Sequence, residues 1–386
     1  MKACGVIVEY NPFHNGHRYH AQQARKRSGA EVVVACMSGN FLQRGEPAII
    51  DKWLRTEAAL KNGVDLVIEL PLCWSLQAAD FFARGSIKLL QGIGCESLCF
   101  GTDAEDRFDY QEFGNLVTGN QLLIDQTYQQ LQDEKLSYPQ KMNQVYSQLF
   151  ADMQLAGDTP NHILGLAYAK ENAAYPHPMK LISVPRIGSG YNESNLRQGQ
   201  LASGTGIREG VRNGADISSF VPPKTAWGLT QQSASWEGLW PYLRYRLLSA
   251  KPEELRRIYQ MTEGLEHRLI EAAKQALNFQ QFMAQVKSKR YTWTRLQRLF
   301  CYVLLDINNQ EMQAAWQENQ LRVLGFTEIG QRYLSQQKKK LTFPLVTRVG
   351  KAQNRQQELT LRSDEIYRLA DPRIPEQAVG RIPIRV

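Results

Sequence analysis

Ala3-Cys4-Gly5-Val6-Ile7-Val8-Glu9-Tyr10-Asn11-Pro12-Phe13-His14-Asn15-Gly16-His17 is the stretch on which the fold turns. Its first part, Ala3 to Tyr10, is a short apolar run rich in β-branched residues and reads as a buried first strand. His17 to Arg27 has helix-forming composition and meets a stop at Ser28-Gly29. Asn11 to His17 therefore occupies a strand-to-helix turn. In an open α/β sheet such a turn offers the N–H groups of a helix N-terminus to a phosphate.

The residue types at this turn suit an anionic ligand. Gly16 has no Cβ and lets the backbone approach a planar or charged group. His14 and His17 stand three apart, near one helical turn, so both imidazoles can face one ligand. Imidazole N–H groups aimed at a polyphosphate stabilise the charge that develops when the α-phosphorus is attacked. Spacing of this kind, extended to His20, also suits zinc. No cysteine or acidic residue lies at ligand spacing nearby, however, so no metal site is expected.

Further strands are legible outward from there. Glu31–Met37 is a continuous apolar run suited to a parallel sheet covered on both faces. Asp65–Leu70, Ser97–Gly101 and Met179–Pro185 read as the third, fourth and fifth strands. The loop Ser38–Ala48 falls at the carboxyl end of strand two, where open sheets bind ligands. Asp51 is placed to cap the next helix, which presents Lys52 and Arg55 one turn apart. Arg44 and Lys52 are thus candidates for phosphate contact. Gly101 closes strand four, where the absence of a side chain admits a nucleotide. Thr159-Pro160-Asn161 opens a helix with Thr159 at the N-cap and Pro160 at N1, bringing the Asn161 amide within reach of a nucleotide.

Residues 104–158 turn acidic and then Gln- and Tyr-rich with helical spacing, as expected of a helical insertion. Val221-Pro222-Pro223-Lys224 reads as a linker, and the sequence beyond it is rich in helical patterns. The expected fold is α/β: a Rossmann-like parallel-sheet nucleotide-binding domain over 1–220, followed by a basic, mostly helical domain over 224–386.

Composition narrows the function classes. In 386 residues, 43% hydrophobic and 22% charged content is that of a globular protein, and no apolar run is long enough to span a membrane. The first residues lead straight into a strand, so no signal peptide is expected, and a cytoplasmic location follows. Six cysteines without a C-x-x-C pair suit buried thiols. The net charge of +8 is unevenly placed: residues 1–200 carry 18 Lys+Arg against 21 Asp+Glu, and residues 201–386 carry 28 against 17. A basic half joined to a near-neutral one points to a polyanionic partner. Lys287, Lys289, Arg290 and Arg295, interleaved with Tyr291 and Trp293 and followed by Arg298, suit phosphate pairing with base stacking.

His14-Asn15-Gly16-His17 resembles the signature of the HIGH-type nucleotidyltransferase superfamily, whose members activate an acid or a phosphate with ATP. The longer string Gly5 to His17 resembles one branch more closely, the bacterial tRNA(Met) cytidine acetate ligases. Met37-Ser38-Gly39-Asn40-Phe41-Leu42-Gln43-Arg44-Gly45-Glu46-Pro47-Ala48 and Asp65-Leu66-Val67-Ile68-Glu69-Leu70-Pro71 support the likeness. Ala202-Ser203-Gly204-Thr205-Gly206-Ile207-Arg208-Glu209-Gly210 resembles the superfamily's second signature, Ser-Ser-Thr-x-Ile-Arg, with Gly204 in place of the second serine. After Gly101 the family usually has Ser-Glu, whereas this chain has Thr102-Asp103.

The resemblance implies that ATP activates acetate as acetyl-adenylate, with release of pyrophosphate. The acetyl group then passes to N4 of the wobble cytidine of elongator tRNA(Met), with release of AMP. His14, His17 and Arg208 would be catalytic. ATP would be held along Ile7, Val8, Glu9, Tyr10, Asn11, Pro12 and Phe13, through His14, Asn15, Gly16 and His17, and on to Arg18, Tyr19 and His20. Gly101, Asn161, Arg186, Ile187 and Thr205 would complete its site. Magnesium is implied as counter-ion to the phosphates, and no protein partner is implied. Residue types alone leave two other readings open: a cofactor-forming nucleotidylyltransferase acting on a phosphorylated metabolite, and a non-catalytic RNA-binding protein.

Overall fold

The strands assemble in a computed structural model that describes residues 1–103, 108–131, 136, 138–151, 153, 159–185, 201–349 and 354–386. Strands β1 (Ala3–Val8), β2 (Val32–Ser38), β3 (Leu66–Leu70), β4 (Ser97–Thr102) and β5 (Lys180–Pro185) run parallel in the order β5-β4-β1-β2-β3. The order reverses at β1, which pairs with β2 on one side (Ala3 with Val32) and with β4 on the other (Cys4 with Ser97). The crevice at the carboxyl end of a sheet, beside such a reversal, is where open α/β sheets take ligands. Glu9 to His17 lies there.

β2 explains why its sequence lacks alternation. Val32, Val34 and Cys36 enter one core, with Leu66 and Ile68 of β3, while Val33, Ala35 and Met37 enter another beneath Ala21 and Ala24. All seven of its residues are buried, as parallel sheets covered on both faces require. The helix after β1 runs Asn15–Ser28 and stops at Gly29, whose φ of 65° suits a residue without Cβ and whose N–H reaches Arg25 O at 3.0 Å. The insertion is helical where described: Tyr110–Gly119, Gln121–Gln130 and Tyr138–Leu149. All six cysteines are buried and free.

The C-terminal half contains the expected helices, among them Trp236–Ser249, Leu265–Gln275 and Trp293–Leu304. It also adds strands that periodicity does not announce. β6 (Leu321–Phe326) lies antiparallel on β3, and β7 (Leu345–Val346) and β8 (Ile384–Arg385) pair with its two ends, making an eight-stranded sheet. Two-residue strands carry no period of their own and form only because β6 is already in place. Val221-Pro222-Pro223-Lys224 is packed rather than extended. Val221 is buried, Pro223 opens the helix Pro223–Gln231, and Lys224 Nζ pairs with Glu57 Oε2 at 2.7 Å.

Lys52 does not face a phosphate site. It is fully buried, with Nζ 2.7 Å from Glu69 Oε1 and 2.6 Å from Asp364 Oδ2. Arg322 Nη1 completes the group at 3.0 Å from Glu69 Oε2 and 3.7 Å from Asp364 Oδ2. Burial raises the Asp364 carboxyl to about 6. On Glu69 burial acts the same way, but Arg322 and Lys52 together outweigh it and hold the carboxyl below its usual value. Two cations and two carboxylates thus join β3 and the helix Lys52–Leu60 to β6 and the helix Arg355–Arg368. Breaking a buried pair from one side costs about 3–5 kcal/mol. Lys52→Met should therefore lower the urea midpoint of unfolding by a corresponding amount, and an unchanged midpoint would show that the cluster contributes nothing net.

Candidate active site

β1 ends at Val8, and the chain turns through Tyr10, at φ 53°, before His14 caps the next helix. The His14 side chain is the cap: its Nδ1 accepts the Gly16 N–H at 3.0 Å. Three residues on, His17 Nδ1 accepts the His14 N–H at 3.3 Å, closing a reciprocal capping box. The two rings stack with centroids 3.7 Å apart. An Nδ1 that accepts a backbone N–H carries no proton, so the neutral tautomer of each ring has its proton on Nε2. Both histidines are therefore Nε2–H donors, oriented by the backbone of their own turn. Gly16 is required for a reason other than ligand approach, because a Cβ there would lie 2.8 Å from His14 Cε1. Tyr10 packs edge-on against Phe13 and His17, at 4.7 and 4.8 Å between centroids.

A second helix N-terminus meets this turn. Ser203 caps the helix Gly204–Arg212 by accepting the Gly206 N–H at 3.0 Å. From its second turn Arg208 donates through Nη1 to Asn11 O at 2.8 Å and through Nη2 to Thr205 Oγ1 at 3.4 Å. Glu46 Oε1 lies 3.5 Å from Arg208 Nη2 and accepts from Asn11 Nδ2 at 3.2 Å. The sequence assigns no role to Glu46; only the fold brings it to Arg208. Gly204, where the signature has serine, leaves room for the Asn11 carbonyl, since a Cβ would come within 3.2 Å of that oxygen.

Between these walls opens a cleft of about 1160 Å³. Ile7, Val8, Glu9, Tyr10, Asn11, His14, Gly16 and His17 line it, as do Tyr19, His20, Gly101, Asn161, Thr205 and Arg208. Asn161 Nδ2 donates to Asp103 Oδ2 at 2.7 Å. Pro12, Phe13, Asn15 and Arg18 stand outside the lining: Phe13 is fully buried, Asn15 Nδ2 bonds Ser219 O, and Arg18 points to solvent. Arg186 and Ile187 lie outside the described residues. Arg290 and Arg295 reach the same cleft, whereas Lys287 and Lys289 are exposed on the surface leading to it.

The sequence of residues 1–381 matches the model of the HIGH Nucleotidyl Transferase family. Proteins named tRNA(Met) cytidine acetate ligase are close in sequence. That of Bacillus subtilis is 39% identical, covering 100% of this chain and 97% of the relative, and that of Streptococcus pneumoniae is 40% identical, covering 100% and 99%. The chain belongs to the tRNA(Met) cytidine acetate ligase family. A crystal structure of Thermotoga maritima TmcAL, a protein 28% identical to this one, superposes with a TM-score of 0.91 over the whole of both chains. A second crystal form of that protein, bound with alpha-thio ATP, superposes at 0.88 with 27% identity.

Two half-buried titratable groups stand in the cleft wall. Burial pushes the Glu9 carboxyl up, against the Gln43 N–H that its Oε1 accepts at 2.7 Å. Burial also pushes the His20 imidazole down to about 4, against a backbone hydrogen bond at Cys99, so His20 is neutral where the enzyme works. The unfolded chain binds a proton at His20 near pH 6.5 and the folded chain only near pH 4. Stability from this residue is therefore full above pH 6.5 and is lost as pH falls from there towards 4. Comparing urea midpoints of wild type and His20→Gln across that window should show the wild type losing more stability on acidification. Parallel curves would contradict the neutral state.

Proposed function

We propose that this chain is an ATP-dependent ligase that activates acetate as acetyl-adenylate and acetylates N4 of the wobble cytidine of elongator tRNA(Met). The observation that carries the reading is the stacked pair of Nε2–H donors at the carboxyl end of β1, in a cleft shared with arginines of the basic half. An acetate oxygen attacks the α-phosphorus of ATP, and pyrophosphate departs with the bonding pair. The cytidine amine then attacks the acyl carbon of the mixed anhydride, AMP leaves, and the amine proton passes to solvent.

His14 and His17 supply hydrogen bonds to the α-phosphate oxygens as charge builds there, already oriented and needing no rearrangement. Thr205 and the amides opening the Gly204–Arg212 helix cradle further phosphate oxygens, and Arg208 balances their charge. Gly101 and Asn161 border the nucleoside. No group of three His, Cys, Asp or Glu side chains among the described residues forms a metal cage. A magnesium held chiefly by ATP oxygens would supply countercharge to the phosphates.

Residues 224–386 furnish the tRNA-facing wall in this reading, and the net charge of +8 comes from the C-terminal half. No described helix is long and apolar enough to cross a membrane, and a tRNA substrate puts the reaction in the cytoplasm.

Incubation with ATP, labelled acetate and bulk tRNA should place label in tRNA. Pyrophosphate release that requires a phosphorylated metabolite and ignores acetate would instead make the protein a cofactor-forming nucleotidylyltransferase. Binding without turnover would leave a non-catalytic RNA-binding protein. His17→Ala should retain tRNA affinity while acetate-dependent ATP–pyrophosphate exchange drops by about 10²–10³-fold, the usual effect of deleting one such donor. Equal loss of both would assign the imidazole to folding.

A further inference from the structure

Arg298 is a buried guanidinium on the cleft wall with too few partners among the described residues. It sits on the Trp293–Leu304 helix, is 9% exposed, and lines the cleft. Among the described residues its one hydrogen bond runs from Nη1 to Gln43 O at 3.2 Å. Its Nε is buried without a hydrogen-bond partner, and among the described residues no carboxylate pairs with it. Guanidinium carries five N–H donors, and a buried charge that is neither paired nor fully hydrogen-bonded is costly.

Other buried arginines in the same protein are differently placed. Arg55 is satisfied by the carbonyls of Glu9, Ser38, Gly39 and Ile50, and Arg322 is paired with Glu69 and Asp364. Burial disfavours the charge on Arg298, and neighbouring Arg295 disfavours it further. Nor can the side chain retreat with its helix. Gly45, at φ 77°, touches that helix so closely that a Cβ would stand 2.2 Å from Arg298 N. An arginine fixed in this way is built to receive an anion from the cleft.

The sequence running up to it indicates which anion. Lys287, Lys289 and Arg290 are exposed, Arg295 is half-buried, and Arg298 is buried. Arg290 and Arg295 both lie over the ring of Tyr291, at 5.5 and 4.8 Å, and Trp293 stays 47% exposed beside them. Cations graded from the surface into the cleft along one segment, with an aromatic at hand, follow a chain of phosphates. A small anion would need only the innermost of them.

We propose that Arg298 receives a backbone phosphate of the tRNA beside the cytidine being acetylated, and so positions that nucleotide over the adenylate; this rests on the function proposed above. The guanidinium gains in the complex the charge-assisted hydrogen bonds it lacks in the free protein. Bound RNA thereby reaches the interior wall of the site, while the outer lysines only attract it.

Arg298→Gln separates the possibilities when two half-reactions are measured on the full-length protein. Acetylation of tRNA(Met) should show a KM for tRNA raised tenfold or more. The slope of log affinity against log salt should fall by about one phosphate contact, 0.7–0.9. Acetate-dependent ATP–pyrophosphate exchange should keep the wild-type KM values for ATP and acetate. Arg298→Lys, which keeps the charge without the fork, should recover part of the tRNA affinity and decides the question if the glutamine variant does not fold. A raised KM for acetate or ATP in the exchange reaction would make Arg298 a small-anion site and overturn the proposal. So would a tRNA KM and salt slope equal to wild type in both variants. Failure of the wild type itself to label tRNA would refute the parent reading instead.

Discussion

Four charges buried together, Lys52, Glu69, Arg322 and Asp364, are what the two halves of this protein share. Each comes from a different element, and each leaves water only because the others are present. The balance is neutral, and polar neighbours take up what remains: Asn40 Nδ2 donates to Asp364 Oδ1 at 2.9 Å, and Asn40 Oδ1 accepts the Lys52 N–H at 2.8 Å. Such a cluster adds little net stability compared with apolar packing, but it is intolerant of misplacement. β3 and β6 illustrate the point. Arg322 stands directly across from Glu69, and a slip of one residue would turn its side chain to the other face of the sheet. Apolar residues alone would forgive that slip; an unpaired carboxylate in the core does not.

Everything in the cleft that depends on both halves follows from this junction. The loop from Ser38 to Ala48 is gripped between them, anchored to β1 through Gln43 and Glu9 and pressed against the Trp293–Leu304 helix at Gly45. From that loop Glu46 holds Arg208, and Gln43 holds Arg298. A single short segment thus sets the distance between the wall that carries the histidines and the wall that carries the arginines. Around it the reciprocal His14–His17 cap needs no help from the C-terminal half, because its two bonds are made within four residues of chain.

That contrast explains what the sequence discloses. Local features are legible: the five parallel strands, the stop at Gly29, the cap at Asp51 and the histidine turn all rest on residues adjacent in the chain. Long-range features are not. Lys52 and Arg55 look alike as cations one turn apart, yet one closes a salt cluster with Asp364 and the other is consumed by carbonyls. β6, Leu-Arg-Val-Leu-Gly-Phe, interrupts its apolar residues with an arginine and a glycine and nothing local tells that its partner is β3, and β7 and β8 are too short to carry a period. Glycine is only partly legible in the same way. Gly16 lines the cleft as its lack of a side chain suggests, but nothing local tells that a Cβ there would also meet His14 Cε1 at 2.8 Å, or that Gly45 makes way for a helix backbone.

The antiparallel strand at the end of the sheet also bears on how the molecule is made. Leu70 leaves the ribosome long before Leu321, so the hydrogen-bonding edge of β3 emerges with no mate while the helices of the basic half are still being translated. An apolar strand with a bare edge is a template for pairing with other chains. For this nascent polypeptide the hazardous interval is the long wait between the third strand and the sixth.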